Sequence, residues 1–208
     1  LFLFALGTIY AVTGTLNMAD LAIRVAELPV EDTAMIRVAA ILLLLVFAVK
    51  AALIPLHFWL PATYAEAPAP VAALFAVMTK IGAYAIIRIY TLVFGPEVAA
   101  SADIIGPWLM PAALVTLAIG MLGVLGATHL GRLAAFAAIG SMGTLLIAIA
   151  PFTPDATTAA LYYMIHSTLG GAALFLVVDM VRARRLAGDD AIAPRTVIAQ
   201  NGLIAAFF

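Results

Sequence analysis

The feature that most limits what this sequence can become is the length of its apolar runs. Roughly 20 mostly apolar residues in helical form cross the hydrocarbon core of a bilayer. Runs of that size recur at 34–59, 68–94, 108–128, 132–150 and 156–181. Two shorter pieces, 1–16 and 196–208, read as the remainder of one span and the start of another, which makes seven. A polar loop is expected at 17–33. Chain breakers mark the joins: Pro61, Gly95-Pro96, Gly106-Pro107, Pro151, Pro154, Gly188 and Pro194. No stretch alternates with period two over the length of a barrel strand. The expected fold class is an all-α, polytopic transmembrane helix bundle, with 1–208 forming a single transmembrane domain.

Composition excludes the alternatives. The chain is 66% hydrophobic and 10% charged, against about 45–50% and about 25% in soluble domains. A soluble domain of this size has too little interior to hide that much apolar surface. The net charge of −1 offers no basic field for nucleic acid. There is no cysteine, which removes disulfides, iron–sulfur ligation and thiol catalysis. No metal-ligand spacing such as HExxH and no nucleophile–base pair stands out, so no metal and no cofactor is expected. The chain opens at Leu1 in an apolar run without an initiator Met or the basic region of a signal peptide, and stops in another apolar run at Phe208. It is expected to be an internal piece of a longer protein.

Charge sets the orientation. Arg132, Arg182, Arg184, Arg185 and Arg195 collect on one side. The other side carries Arg24, Arg37 and Arg88 with Asp20, Glu27, Glu31, Asp32, Glu97, Asp103 and Asp155. By the positive-inside rule, the loops after the second, fourth and sixth spans are cytoplasmic. The arginine cluster is read as a topology signal, and Asp179 beside it as a surface ion pair. Small residues recur at helical spacing in the fourth and fifth spans: Gly120, Gly123, Gly126 and Ala127, then Gly140 and Gly143. They let helix backbones approach closely. No strand precedes them, so they do not read as a phosphate-binding loop.

Lys50 and Lys80 do not belong in lipid. Lys50 lies between the apolar runs 38–49 and 51–56, and Lys80 sits about halfway along its span. A cation at the bilayer centre costs roughly 3 kcal/mol on insertion scales and more in simulations. Buried lysines of this kind either fix helix packing as ion pairs or line an ion pathway, and intramembrane charge points to the pathway. Pro55 cannot donate to the carbonyl of Ala51 and interrupts the helix that carries Lys50. Transporters build midplane sites at such breaks, although a proline also makes simple kinks. His166 lies mid-span, where it either relays protons or packs through hydrogen bonds. The hydroxyls of Ser167, Thr168, Tyr162 and Tyr163 beside it can order water. His57 and Glu66 flank the loop after the broken helix, as cytoplasmic points where protons enter or as ordinary interfacial residues.

The stretch Lys50-Ala51-Ala52-Leu53-Ile54-Pro55-Leu56-His57-Phe58-Trp59-Leu60-Pro61, with Ala67-Pro68-Ala69-Pro70-Val71 and Thr79-Lys80-Ile81-Gly82-Ala83-Tyr84, resembles the antiporter-like family. That family includes the membrane-arm proton-pumping subunits of respiratory complex I and the large subunits of multisubunit Na⁺/H⁺ antiporters. Two further segments, Thr13-Gly14-Thr15-Leu16-Asn17-Met18-Ala19-Asp20-Leu21-Ala22 and Ser141-Met142-Gly143-Thr144-Leu145-Leu146, look most like the D-type subunit of the Mrp/Mnh/Pha antiporters. The resemblance covers essentially the whole chain. It implies a fourteen-helix subunit of two inverted five-helix repeats, of which this chain holds helices six to eleven and the start of twelve. Lys50 matches the lysine of the broken seventh helix, Lys80 that of the eighth and His166 the histidine of the eleventh. The glutamate that partners the first lysine would precede Leu1.

Two departures favour the antiporter over complex I. Gly170 stands where complex I members often carry a lysine, and the turn His129-Leu130-Gly131-Arg132 lacks their acidic–basic pattern. The expected function is that of a transporter subunit, not an enzyme. Protons relayed by Lys50, Lys80 and His166 would be exchanged for a monovalent cation, Na⁺ by resemblance. Its partners would be the other subunits of a hetero-oligomeric complex in a bacterial plasma membrane. The alternative is a non-redox, proton-pumping subunit of complex I or of a membrane-bound hydrogenase.

Overall fold

The computed structural model describes residues 1–29, 33–95, 98, 104–185, 189–193 and 200–206. Glu31, Asp32, Pro96, Glu97, Asp103, Gly188, Pro194, Arg195 and the first residues of the expected seventh span, 196–199, lie outside the described residues. No strand forms among the described residues, and an isolated bridge joins His129 to Ala191. The elements are α1 Phe2–Thr13, α2 Met18–Glu27, α3 Thr33–Lys50, α4 Trp59–Glu66, α5 Ala69–Leu92, α6 Gly106–Leu125, α7 Leu130–Ile149, α8 Pro154–Arg184 and α9 Asn201–Ala206. Five of them, α3 and α5 to α8, are long and apolar enough to cross a membrane. Pro70, Pro107 and Pro154 sit in first turns, where a helix has no use for their missing N–H.

Two expected boundaries change. The polar loop at 17–33 contains α2, a helix bent by 58° from α1 after Gly14 takes the left-handed conformation at φ 70. Asn17 caps it by accepting from the Ala19 N–H at 3.0 Å, and Leu21 and Val25, one turn apart, are buried beneath a charged face. Asp20 and Arg24 pair across that face at 3.0 Å, and Arg24 also donates to the Thr13 carbonyl at 2.9 Å.

The span expected at 34–59 is divided. Helix α3 ends at Lys50, residues 51–58 are non-helical, and helix resumes in α4 with Pro61 inside its first turn rather than at a join. Ala52 turns the chain at φ 52, and the Ile54–Pro55 peptide is cis. Two backbone groups, one in the break and one just before it, find side-chain partners, as polar groups out of reach of water require. The Ile54 N–H donates to Thr116 Oγ1 of α6 at 3.1 Å, and Trp59 Nε1 donates to the Val49 carbonyl at 3.1 Å.

Helix α5 is central, packing on α3, α7 and α8, while α6 and α4 pack on α7. Glycine allows the tightest approaches. A Cβ on Gly82 would lie 2.7 Å from the Ala51 N and 3.0 Å from the Lys50 Cβ, so α5 crosses directly over the end of α3. A Cβ on Gly120 would lie 2.4 Å from the Gly140 N, and one on Gly143 2.4 Å from the Leu117 N, which places the small-residue stripe between α6 and α7.

On the arginine-rich side, Asp190 gathers several elements. Its Oδ2 accepts from the Gly131 N–H of α7 at 2.7 Å and from Arg182 Nη2 of α8 at 2.8 Å, and the same guanidinium nitrogen donates to the Ala65 carbonyl of α4 at 3.2 Å. Arg185 pairs with Asp189 at 3.5 Å. The arginines therefore turn to the loop aspartates. Asp179, expected as their partner, stays exposed on α8 without an ion pair among the described residues. Burial alone would raise the Asp190 carboxyl, but the Gly131 N–H and the Arg182 guanidinium outweigh it and hold the group below the usual carboxylate range.

Two measurements follow from this packing. Gly82→Val forces a side chain against backbone and is expected to cost about 1–3 kcal/mol, seen as a lower thermal midpoint of the detergent-solubilised complex. The Asp190 interaction is at full strength above its unfolded value of about 4 and is lost as pH falls through the lowered folded value. Wild-type protein is thus expected to lose thermal stability below about pH 4, and Asp190→Asn to flatten that acid limb.

Candidate functional site

Lys80 lies on the buried face of α5 and is only 6% exposed. Its Nζ donates to Ser141 Oγ of α7 at 2.6 Å, and no carboxylate pairs with it among the described residues. Tyr163 of α8 donates to the same Ser141 oxygen at 3.4 Å. A hydrogen bond to a charged group contributes about 1.5–3 kcal/mol, no more than the roughly 3 kcal/mol that the cation costs at the bilayer centre. One serine therefore does not cover an ammonium with three donors.

The space around the amine supplies the rest. Lys80 borders a cavity of about 230 Å³, whose polar lining is Thr79, Ser141, Tyr163, His166 and Ser167. At about 30 Å³ each it has room for several waters with polar partners. On its other side Lys80 borders an open apolar groove of about 320 Å³ on the surface of the bundle, lined also by Tyr84 and Thr168. His166 joins Lys80 at the first cavity from the exposed face of α8, its ring 6.5 Å from that of Tyr163. Gly170, one turn on, lines the same cavity. Ser167 and Thr168 both donate to the Met164 carbonyl, at 3.4 and 2.6 Å, so their hydrogens are tied to their own helix.

Lys50 differs from its sequence expectation. It ends α3 as an exposed residue of the described bundle, and its amine makes no hydrogen bond among the described residues. The Val49 carbonyl in the last turn of α3 accepts from Trp59 Nε1 and from the Ala52 N–H, and no carbonyl accepts from the Lys50 amine among the described residues. It borders a third cavity, of about 160 Å³, with Trp59, Thr63, Tyr64, Phe75, Met78 and Thr79. Pro55 is exposed within the break. His57 and Glu66 are separated by α4 rather than flanking one loop. His57 lies in the break with a buried Nδ1 that has no hydrogen-bond partner among the described residues, and Glu66 is an exposed residue at the end of α4. Neither lines the cavities of Lys50 or Lys80.

Sequence reasoning on polar character passes over Ser141, Thr79 and Tyr64, because hydroxyls are common in membrane helices. Their meaning comes from three elements meeting. Among the described residues no group of three or more His, Asp or Glu side chains is placed to hold a metal. The arrangement offers amine, imidazole and hydroxyl groups around water-sized space, groups that can accept and release protons.

Comparison with known proteins gives a consistent result. Residues 1–206 match the family described as NADH:quinone oxidoreductase/Mrp antiporter, TM. The chain is 42% identical over 193 residues to the probable K⁺/H⁺ antiporter D-type subunit of Rhizobium meliloti (strain 1021), covering 93% of this chain and 36% of that one. It is 40% identical over 184 residues to the Na⁺/H⁺ antiporter D-type subunit of Bacillus subtilis (strain 168), covering 88% and 36%. A chain in the structure of the Mrp complex from Dietzia sp. DQ12-45-1b superposes with a TM-score of 0.70 at 32% identity, over 88% of this chain and 33% of that one. The chain spans about a third of the length of these relatives.

Proposed function

The chain belongs to the NADH:quinone oxidoreductase/Mrp antiporter transmembrane family, and from that premise we propose that it is the proton-conducting part of the D-type subunit of an Mrp antiporter. The observation that carries the reading is Lys80: an amine inside a membrane helix, bonded to Ser141, free of any carboxylate among the described residues and open to a polar-lined cavity. A structural ion pair would bring a counter-ion with it. A proton carrier needs a route on and off, and the cavity that Lys80 shares with His166 supports one.

In this reading a proton loads on Lys50, passes to Lys80 through hydrogen-bonded groups and water, and moves on to His166. Each step changes which amine or imidazole is charged, and the field of each charge biases the next transfer. His57, Glu66, Ser167 and Thr168 have supporting parts at most, since Ser167 and Thr168 spend their hydrogens on Met164. Counter-transport of a monovalent cation completes the exchange. The relatives' names divide between K⁺ and Na⁺, so the Na⁺ expected by resemblance is one of two candidates. The partners in this reading are the other subunits of a hetero-oligomeric complex in a bacterial plasma membrane. The family also includes NADH:quinone oxidoreductase, in which the same pathway would be driven by electron transfer elsewhere. The antiporter names of the relatives favour the first reading.

The test uses the full-length protein in its assembled complex. Everted membrane vesicles are given a pH gradient, then Na⁺ or K⁺, and the initial rate of gradient collapse is read. Lys50→Ala and Lys80→Ala are each expected to slow it by about a hundredfold or more, the range for loss of a positioned proton-transfer group. Normal rates in both variants would overturn the reading.

A further inference from the structure

Thr79 lines the Lys50 cavity on one side and the Lys80–His166 cavity on the other. Across from it stands Tyr64 of α4, which lines the Lys50 cavity. Both residues are 2% exposed. Their hydroxyls are hydrogen-bonded to each other, and both reach the Phe75 carbonyl, Tyr64 Oη at 2.6 Å and Thr79 Oγ1 at 2.9 Å. The Tyr64 ring is held by edge contacts with Trp59 and Phe175, at centroid distances of 5.9 and 5.8 Å.

Three oxygens here share two hydrogens. In one arrangement Thr79 donates to Tyr64, and Tyr64 donates to the carbonyl. In the other Tyr64 donates to Thr79, and Thr79 donates to the carbonyl. Both satisfy every hydroxyl hydrogen, so the sense of the bonds can reverse without leaving a buried donor unmet. An aliphatic side chain at this wall would stop a proton. A hydroxyl can accept one on a lone pair and release the one it held.

We propose that the Thr79–Tyr64 hydroxyl pair is the passage by which a proton crosses between the Lys80–His166 cavity and the Lys50 cavity. The proposal rests on the reading of Lys50 and Lys80 as proton carriers. A proton from water on the Lys80 side bonds to Thr79 Oγ1. The hydrogen that Thr79 held leaves for Tyr64 Oη, and the hydrogen that Tyr64 held, turned away from the Phe75 carbonyl, leaves to water on the Lys50 side. Each oxygen gains one hydrogen and loses one, and nothing is oxidised or reduced. Rotation of the two hydroxyls restores the starting sense, and the reverse sequence carries a proton the other way.

The test compares Tyr64→Phe, Thr79→Val, Thr79→Ser, Lys50→Ala and Lys80→Ala in the full-length complex, in the same vesicles, with assembly checked on native gels. Tyr64→Phe keeps the ring and Thr79→Val keeps the shape. Each is expected to slow exchange by at least about tenfold in an assembled complex and to raise the rate ratio between H₂O and D₂O. Thr79→Ser, which restores the hydroxyl, is expected to return both readouts close to wild type. Should Thr79→Val fail to assemble, Thr79→Ala and Tyr64→Phe carry the same comparison. Wild-type exchange in Tyr64→Phe or Thr79→Val, with Lys50→Ala and Lys80→Ala inactive, would overturn the passage and leave the lysine reading standing. Slow exchange with an unchanged isotope ratio would reduce the pair to packing. Active lysine variants would overturn both.

Discussion

An ammonium group inside a membrane bundle needs either a counter-charge or water, and much of this structure answers to that need at Lys80. The amine has one hydroxyl, from Ser141, and a polar-lined cavity beside it. Three helices must hold their places for this to work. Helix α5 carries the amine, α7 brings the serine, and α8 closes the cavity with Tyr163 and His166. The tight glycine contacts between α6 and α7 belong to the same requirement, because they fix the helix from which Ser141 projects. Apolar packing elsewhere is ordinary for a bundle of this kind, with Ile36, Leu43, Ile86 and Leu145 fully buried around α3, α5 and α7.

The break in the second span serves the same end by a different route. Residues 51–58 leave the helix, yet the Ile54 N–H finds Thr116, Trp59 ties the start of α4 back to the Val49 carbonyl of α3, and residues 51–53 are buried in the bundle. Helix α4 then brings Tyr64 against Thr79, and its far end is tied down through the Ala65 carbonyl to Arg182 and Asp190. The element that carries Tyr64 is thus held at both ends, by neutral hydrogen bonds in the interior and by a charged one at the arginine-rich side.

Much of the architecture is legible in the sequence because lipid imposes a simple rule of length and polarity. The five long spans follow from apolar runs, and Lys50, Lys80 and His166 stand out because charge or imidazole is costly where they sit. The features that escape such reading have physical reasons. Helix α2 reads as loop by average polarity, although Leu21 and Val25 one turn apart mark its buried side. Pro55 signals a break but not its extent, since Ala51 and Ala52 are good helix formers and only tertiary contact holds Ala52 at φ 52. The second half of the broken helix reads as a join because Pro61 is a breaker in mid-helix and harmless in a first turn. The exposure of Lys50 and the polar roles of Ser141, Thr79 and Tyr64 depend on which helix stands opposite, and no local pattern encodes that.

The contact at Gly82 has a consequence for time. With α5 pressed onto the backbone at Lys50, neither helix has the slack to slide past the other. Collective helix displacement belongs to the range of about μs–ms, whereas side-chain torsions and water reorientation run at about ps–ns. In the proposed relay, a handover between two amines whose backbones cross this closely would call on the fast class of motion.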